Sequence, residues 1–147
     1  MKTFIVIALL VSATAHAIVP EIAAKLSGAY VAVGNCDYDR AEVKIERDNY
    51  MDFIVVRLSN PALEKYKSRS VNMDNMWTKV RTTRGMQRII TQDRIRGNAV
   101  LAEEKTCLPG WVGCSDWNTA LSATLADEDT MEVVMDTVEC TFKKVRL

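Results

Sequence analysis

Three kinds of side chain in this sequence have the types and spacing to do chemistry: paired carboxylates, four cysteines and a run of cations beside a tryptophan. Asp37 and Asp39, Glu103 and Glu104, and Asp127 and Asp129 lie close enough in sequence to act as a general acid and base. That work needs burial that splits the two pKa values, and all three pairs fall at turns or in a charge-rich strand, where carboxylates are ordinarily solvated. Asp127-Glu128-Asp129 lacks the alternate-position ligands and the glycine of a calcium loop, so no metal site is expected there. The single histidine, His16, falls in a segment expected to be cleaved away, which excludes Ser-His-Asp and Cys-His catalysis in the mature chain. The expectation is a protein that is not an enzyme and needs no cofactor.

That segment is residues 1–17. Lys2, an unbroken apolar run from Phe4 to Val11 and the small-x-small sequence Ala15-His16-Ala17 have the pattern of a secretory signal peptide. The apolar run is shorter than the roughly 20 residues that span a bilayer, and no second one follows. The mature domain is therefore expected at 18–147, starting at Ile18, secreted or periplasmic. The sequence has no Asn-x-Ser/Thr acceptor for N-glycosylation, which suits a periplasmic product.

In an oxidising compartment the four cysteines are expected to form two disulfides, for which three connectivities exist. Cys107–Cys114 and Cys36–Cys140 are favoured. Pro109, Gly110 and Gly113 let the chain turn back within the first pair, and the second would join an early strand to the last one. The absence of any C-x₂-C pair argues against a four-cysteine zinc site.

Charge is balanced overall but not along the chain. Residues 65–96 carry nine Lys and Arg against Asp74 and Asp93, whereas residues 97–139 carry nine Asp and Glu against Lys105. The two blocks can pair across neighbouring strands or form separate faces with separate partners. If Arg84-Gly85 is a two-residue turn, Thr83 faces Met86, Arg81 faces Arg88 and Lys79 faces Ile90. Trp77, Lys79, Arg81 and Arg88 would then share one face. Opposed arginines need relief, either from Glu103 and Glu104 or from a bound anion on a protein, glycan or lipid head group. Nucleic acid is a poorer partner for a near-neutral secreted domain. The short loop Leu108-Pro109-Gly110-Trp111-Val112-Gly113 offers a second candidate. Trp111 either projects as a binding anchor or folds back over the core.

These residues need a frame, and the pattern supplies one. Segments of period two, broken by turn residues, run through Gly28–Gly34, Ala41–Arg47, Tyr50–Leu58, Trp77–Arg84, Met86–Arg96, Ala99–Leu108, Trp117–Leu125, Met131–Asp136 and Val138–Val145. One short helix is expected after Pro20, and a second over Pro61–Lys67 with Asn60 as its cap. The fold class is all-β, a single antiparallel up-and-down β-barrel of about eight strands, the alternative being a β-sandwich. Met73, Met76, Met86, Met131 and Met135, with Leu121 and Leu125, either fill the interior or line a lipophilic cavity in it.

The amphipathic lead-in ending Lys25-Leu26-Ser27-Gly28-Ala29-Tyr30, followed by a meander, resembles the entry of lipocalin-type barrels, with Tyr30 where those proteins have Trp. The resemblance implies a lipocalin-like barrel and transfers no ligand site. The expected protein is a disulfide-bonded interaction or inhibitor protein that engages its partner through loops or a basic face. The alternative is a carrier of a small lipophilic ligand.

Overall fold

A computed structural model describes residues 20–74, 78–111 and 113–146, without the side chain of Trp111. The expected leader at 1–17, the site candidate Trp77 and its neighbour Met76 lie outside the described residues.

Pro20 precedes helix α1 (Glu21–Leu26), which buries Ile22, Ala23 and Leu26 on one side. Among the described residues ten strands follow: β1 (Gly28–Val33), β2 (Arg40–Asp48), β3 (Met51–Asn60), β4 (Lys65–Asn72), β5 (Thr78–Thr82), β6 (Arg88–Arg96), β7 (Ala99–Cys107), β8 (Asn118–Leu125), β9 (Thr130–Met135) and β10 (Val138–Lys144). All belong to one antiparallel sheet of order β4-β3-β2-β1-β10-β9-β8-β7-β6-β5. A sandwich of two sheets is therefore not what forms. Gly28 opens β1 at φ 148°, a backbone conformation that residues with a side chain rarely adopt. The Tyr30 hydroxyl donates to the Leu26 carbonyl at 2.6 Å and ties α1 to β1. Burial pushes that phenol up to about 12.

The sheet curls around one core, in which alternate residues of distant strands meet. Ile54, Val56 and Leu58 of β3 and Val71 of β4 belong to the same buried cluster as Leu121 of β8, Met131 and Met135 of β9 and Phe142 of β10. Leu125 is buried in the same cluster and Met73 packs against that cluster, whereas Met86 is 68% exposed at a turn and lines no interior. Both disulfides have the expected connectivity, Cys36–Cys140 and Cys107–Cys114. The first ties the β1–β2 loop to β10, which also pairs with β1.

Strand β4 corrects the sequence reading. In place of a helix over Pro61–Lys67 there is a 3₁₀ turn at Pro61–Leu63, after which the chain extends directly into β4. Asn60 does not cap that turn; its side-chain amide donates to the Asp37 carbonyl at 2.9 Å. The sequence of β4 carries no period-two apolar pattern because its inward positions are not apolar. Lys67 and Arg69 occupy the parity of buried Val71, opposite Leu58 and Val56. Ion pairing replaces hydrophobic burial there. Lys67 Nζ lies 2.9 Å from Asp136, and Arg69 lies 2.7 Å from Asp136 and 3.3 Å from Glu104.

Strands β4 and β5 are the two edges, and among the described residues no ladder joins them. β4 approaches β6 instead, where the Asn72 N–H donates to Asp93 Oδ2 at 2.8 Å.

Candidate functional site

The hairpin of β5 and β6 determines which cations share a face. Its turn holds three residues, Arg84-Gly85-Met86, where two were expected. The Thr83 N–H donates to the Gln87 carbonyl at 2.8 Å, and the Met86 N–H donates to the Thr83 carbonyl at 3.0 Å. This is a type I turn closed by a left-handed residue. Met86 takes that conformation, at φ 63°, although Gly85 stands beside it.

The extra residue shifts the register by one, so that Arg81 opposes Ile89, Lys79 opposes Thr91 and Thr82 opposes Arg88. A one-residue slip carries a side chain to the opposite face. Lys79 and Arg81 remain together on the inward side, whereas Arg88 lies on the outward one, opposite Thr82 and Cys107. The expected repulsion between Arg81 and Arg88 does not arise.

The inward cations line a groove of about 360 Å³ at the β4–β5 seam, with Arg69 of β4 as a third. Ser68 and Ser70 of β4, Ile89, Thr91 and Asp93 of β6, and Ala102 and Glu104 of β7 complete its walls. Glu104 accepts from Arg69 and, at 3.4 Å, from the Thr91 hydroxyl. Lys79 Nζ sits 5.2 Å from the centre of the Phe53 ring. The Arg81 side chain has neither a hydrogen bond nor an ion pair among the described residues. Asp93 is only 1% exposed, and its Oδ1 has no hydrogen-bond partner. Burial raises its pKa, which the Asn72 N–H and nearby Lys79 partly oppose.

The two charge blocks pair with each other in part. Lys67 and Arg69 meet Asp136, Arg69 meets Glu104, and Arg94 meets Glu103 at 3.7 Å. The two glutamates therefore pair with Arg69 and Arg94, and not with Arg81. Arg69 was legible only through β4. Had Lys67, Arg69 and Val71 been read as one inward parity, it would have joined Lys79 and Arg81.

The disulfide loop is held by the Leu108 N–H donating to the Gly113 carbonyl at 3.0 Å and by the Ser115 N–H donating to the Thr106 carbonyl at 2.8 Å. The backbone of Trp111 ends a 3₁₀ turn with Gly110 at φ 78°, and its side chain lies outside the described residues. Trp117, not singled out from sequence, is 39% exposed with Lys105 Nζ 4.7 Å from its ring centre.

Members of all three carboxylate pairs are engaged structurally. Asp37 pairs with Lys65 at 2.7 Å, Asp127 accepts the Asp129 N–H at 2.9 Å, and Asp129 pairs with Arg146. Among the described residues no group of three metal-ligating side chains occurs, and no helix is long and apolar enough to cross a membrane.

No family model matches the chain, and no curated protein matches it. Two solved structures do, the REP1-NXSQ fatty acid transporter and a point mutant of that transporter, each 17% identical with a TM-score of 0.41. They cover 84% and 83% of this chain and 98% and 99% of their own.

Proposed function

We propose that this chain is the precursor of a secreted, non-enzymatic binding protein that takes an anionic group of its partner in the basic groove at the β4–β5 seam. In this reading the sheet is an up-and-down barrel. Among the described residues every sequential pair of strands is laddered except β4 and β5, and β1 closes against β10. Secretion is supported by the leader pattern at 1–17 and by two disulfides, which suit an oxidising compartment.

One observation carries the functional reading. Arg69 is already held by two carboxylates, whereas Lys79 and Arg81 reach the same groove with no carboxylate in ion-pair contact among the described residues. A carboxylate, sulfate or phosphate placed there would meet two charge-assisted donors from β5. The wild-type melting temperature should rise with heparin and not with a neutral glycan at equal concentration. The double substitution Lys79→Gln with Arg81→Gln should remove that rise, and Arg88→Gln, on the opposite face, should leave it. A rise that survives the double substitution would end this reading.

A carrier of a small lipophilic ligand is the second reading, favoured by the curled sheet and by Met131, Met135 and Leu121 at its centre. Methionine walls repack around ligands easily. Solvent extraction of purified protein should then release one lipophilic molecule per chain.

A further inference from the structure

We propose that the edge of β5 takes an extended acidic segment of another protein as an added strand of the sheet. This rests on the anion-binding reading above and names the chemistry of the partner.

The backbone supports it first. In the β5–β6 hairpin Thr83 is bonded to Gln87, so the alternation of an antiparallel ladder directs the N–H and C=O of Arg81 and Lys79 toward β6 as well. The same alternation turns the N–H and C=O of Thr78, Val80 and Thr82 outward, along an edge that no described strand pairs with. All five residues of β5 are exposed.

Charge then selects the occupant. From Thr78 to Arg88 the chain carries four cations and no acid. The other edge, β4, differs in that Lys65, Lys67 and Arg69 are all held in ion pairs. A second copy of β5 is a poor partner for this edge. Antiparallel pairing centred on Val80 would set Lys79 against Arg81 twice, and directly opposed like charges destabilise a sheet. An incoming strand with acids opposite Lys79 and Arg81 and an apolar residue opposite Val80, which is 62% exposed, complements both faces. The recognised pattern is acidic–apolar–acidic.

The test uses a fluorescein-labelled peptide of alternating Glu and Val, read by anisotropy at low salt. Lys79→Gln with Arg81→Gln should weaken binding at least tenfold. Val80→Pro removes an outward N–H and leaves the β5–β6 ladder whole, as proline at a sheet edge can. It should also weaken binding at least tenfold, with circular dichroism and melting temperature unchanged and the heparin-induced rise in melting temperature retained. If that variant does not fold, the wild-type protein with a peptide N-methylated at alternate residues carries the test, and tenfold weaker binding is again expected. Peptide affinity within twofold of the parent for Val80→Pro or the N-methylated peptide would overturn the strand, as would the absence of peptide binding. Sedimentation showing a dimer that Val80→Pro dissolves would overturn it in favour of a second copy. In all of these cases a heparin effect that still depends on Lys79 and Arg81 would leave the anion reading standing. Loss of that dependence would overturn both.

Discussion

Two aspartates in and beside the groove should titrate with opposite consequences. Asp93 is buried with one oxygen unpartnered, and burial raises its pKa in the folded state. The folded form then binds the proton more readily than the unfolded form does. The contribution of Asp93 to stability is full below the unfolded pKa, near 4, and is lost as pH rises through the folded value. Asn at this position keeps a carbonyl oxygen for the Asn72 N–H and cannot ionise. The stability of Asp93→Asn relative to wild type should therefore climb as pH rises from about 3 and level off once Asp93 has ionised. Asp136 behaves oppositely. Partial burial pushes its pKa up, but hydrogen bonds from Lys67 and Arg69 outweigh this and hold it below the usual carboxylate range. Its contribution is present above the unfolded pKa and is lost as pH falls through the folded one. The deficit of Asp136→Asn should be full near neutrality and should shrink in acid. Urea melts of both variants across pH 3–7 give the two slopes. Slopes of the same sign would mean that the environment of one carboxylate has been misassigned.

At the scale of elements, turns hold the information that periodicity does not. The β2–β3 turn is Asn49-Tyr50, both left-handed at φ 46° and 68°, with Asp48 opposite Met51. Periodicity alone starts the strand at Tyr50, which continues the parity of Ile54, Val56 and Leu58, but the structure places Tyr50 in the turn and starts β3 at Met51. Tyr50 is 98% exposed, so its ring offsets none of that backbone cost by burial. Tyr50→Gly creates the Asn-Gly pair that such turns favour and should stabilise the protein by about 1 kcal/mol, read from the midpoint of a denaturant melt. The same conflict displaced the β5–β6 register, since Gly85 signalled the turn but Met86 took the left-handed position. Strands whose inward residues are apolar, such as Ile54, Val56 and Leu58 or Met131, Val133 and Met135, were legible because burial alone fixes their parity. β4 was not, because Lys67 and Arg69 face inward only by virtue of partners 67 to 69 and 35 residues away. The candidate site shared that fate. Lys79 and Arg81 could be read from a local cluster, whereas Arg69 required tertiary ion pairs that no local pattern encodes.

For the whole molecule the junction between the chain's two ends is the critical one. β1 and β10 pair from Tyr30 opposite Lys144 to Val33 opposite Thr141, and Cys36–Cys140 staples the same junction across 104 residues. Cys107–Cys114 closes a separation of only seven. If the bonds act chiefly by restricting the unfolded chain, the long one contributes about 4.7 kcal/mol and the short one about 2.5. Replacing each pair with serine separates these contributions. The native ladder still holds β10 in the variant lacking Cys36 and Cys140, so its folded state should keep the wild-type circular dichroism. The lost stability should appear as a lower denaturant midpoint, close to twice as far below wild type as for the variant lacking Cys107 and Cys114 when the slopes match. Equal losses in the two variants would mean that the unfolded chain already keeps its ends together without the bond. Loss of native structure in the first variant alone would mean that the β1–β10 ladder cannot hold the junction by itself. The seam between β4 and β5 would then not be the weakest line in the sheet.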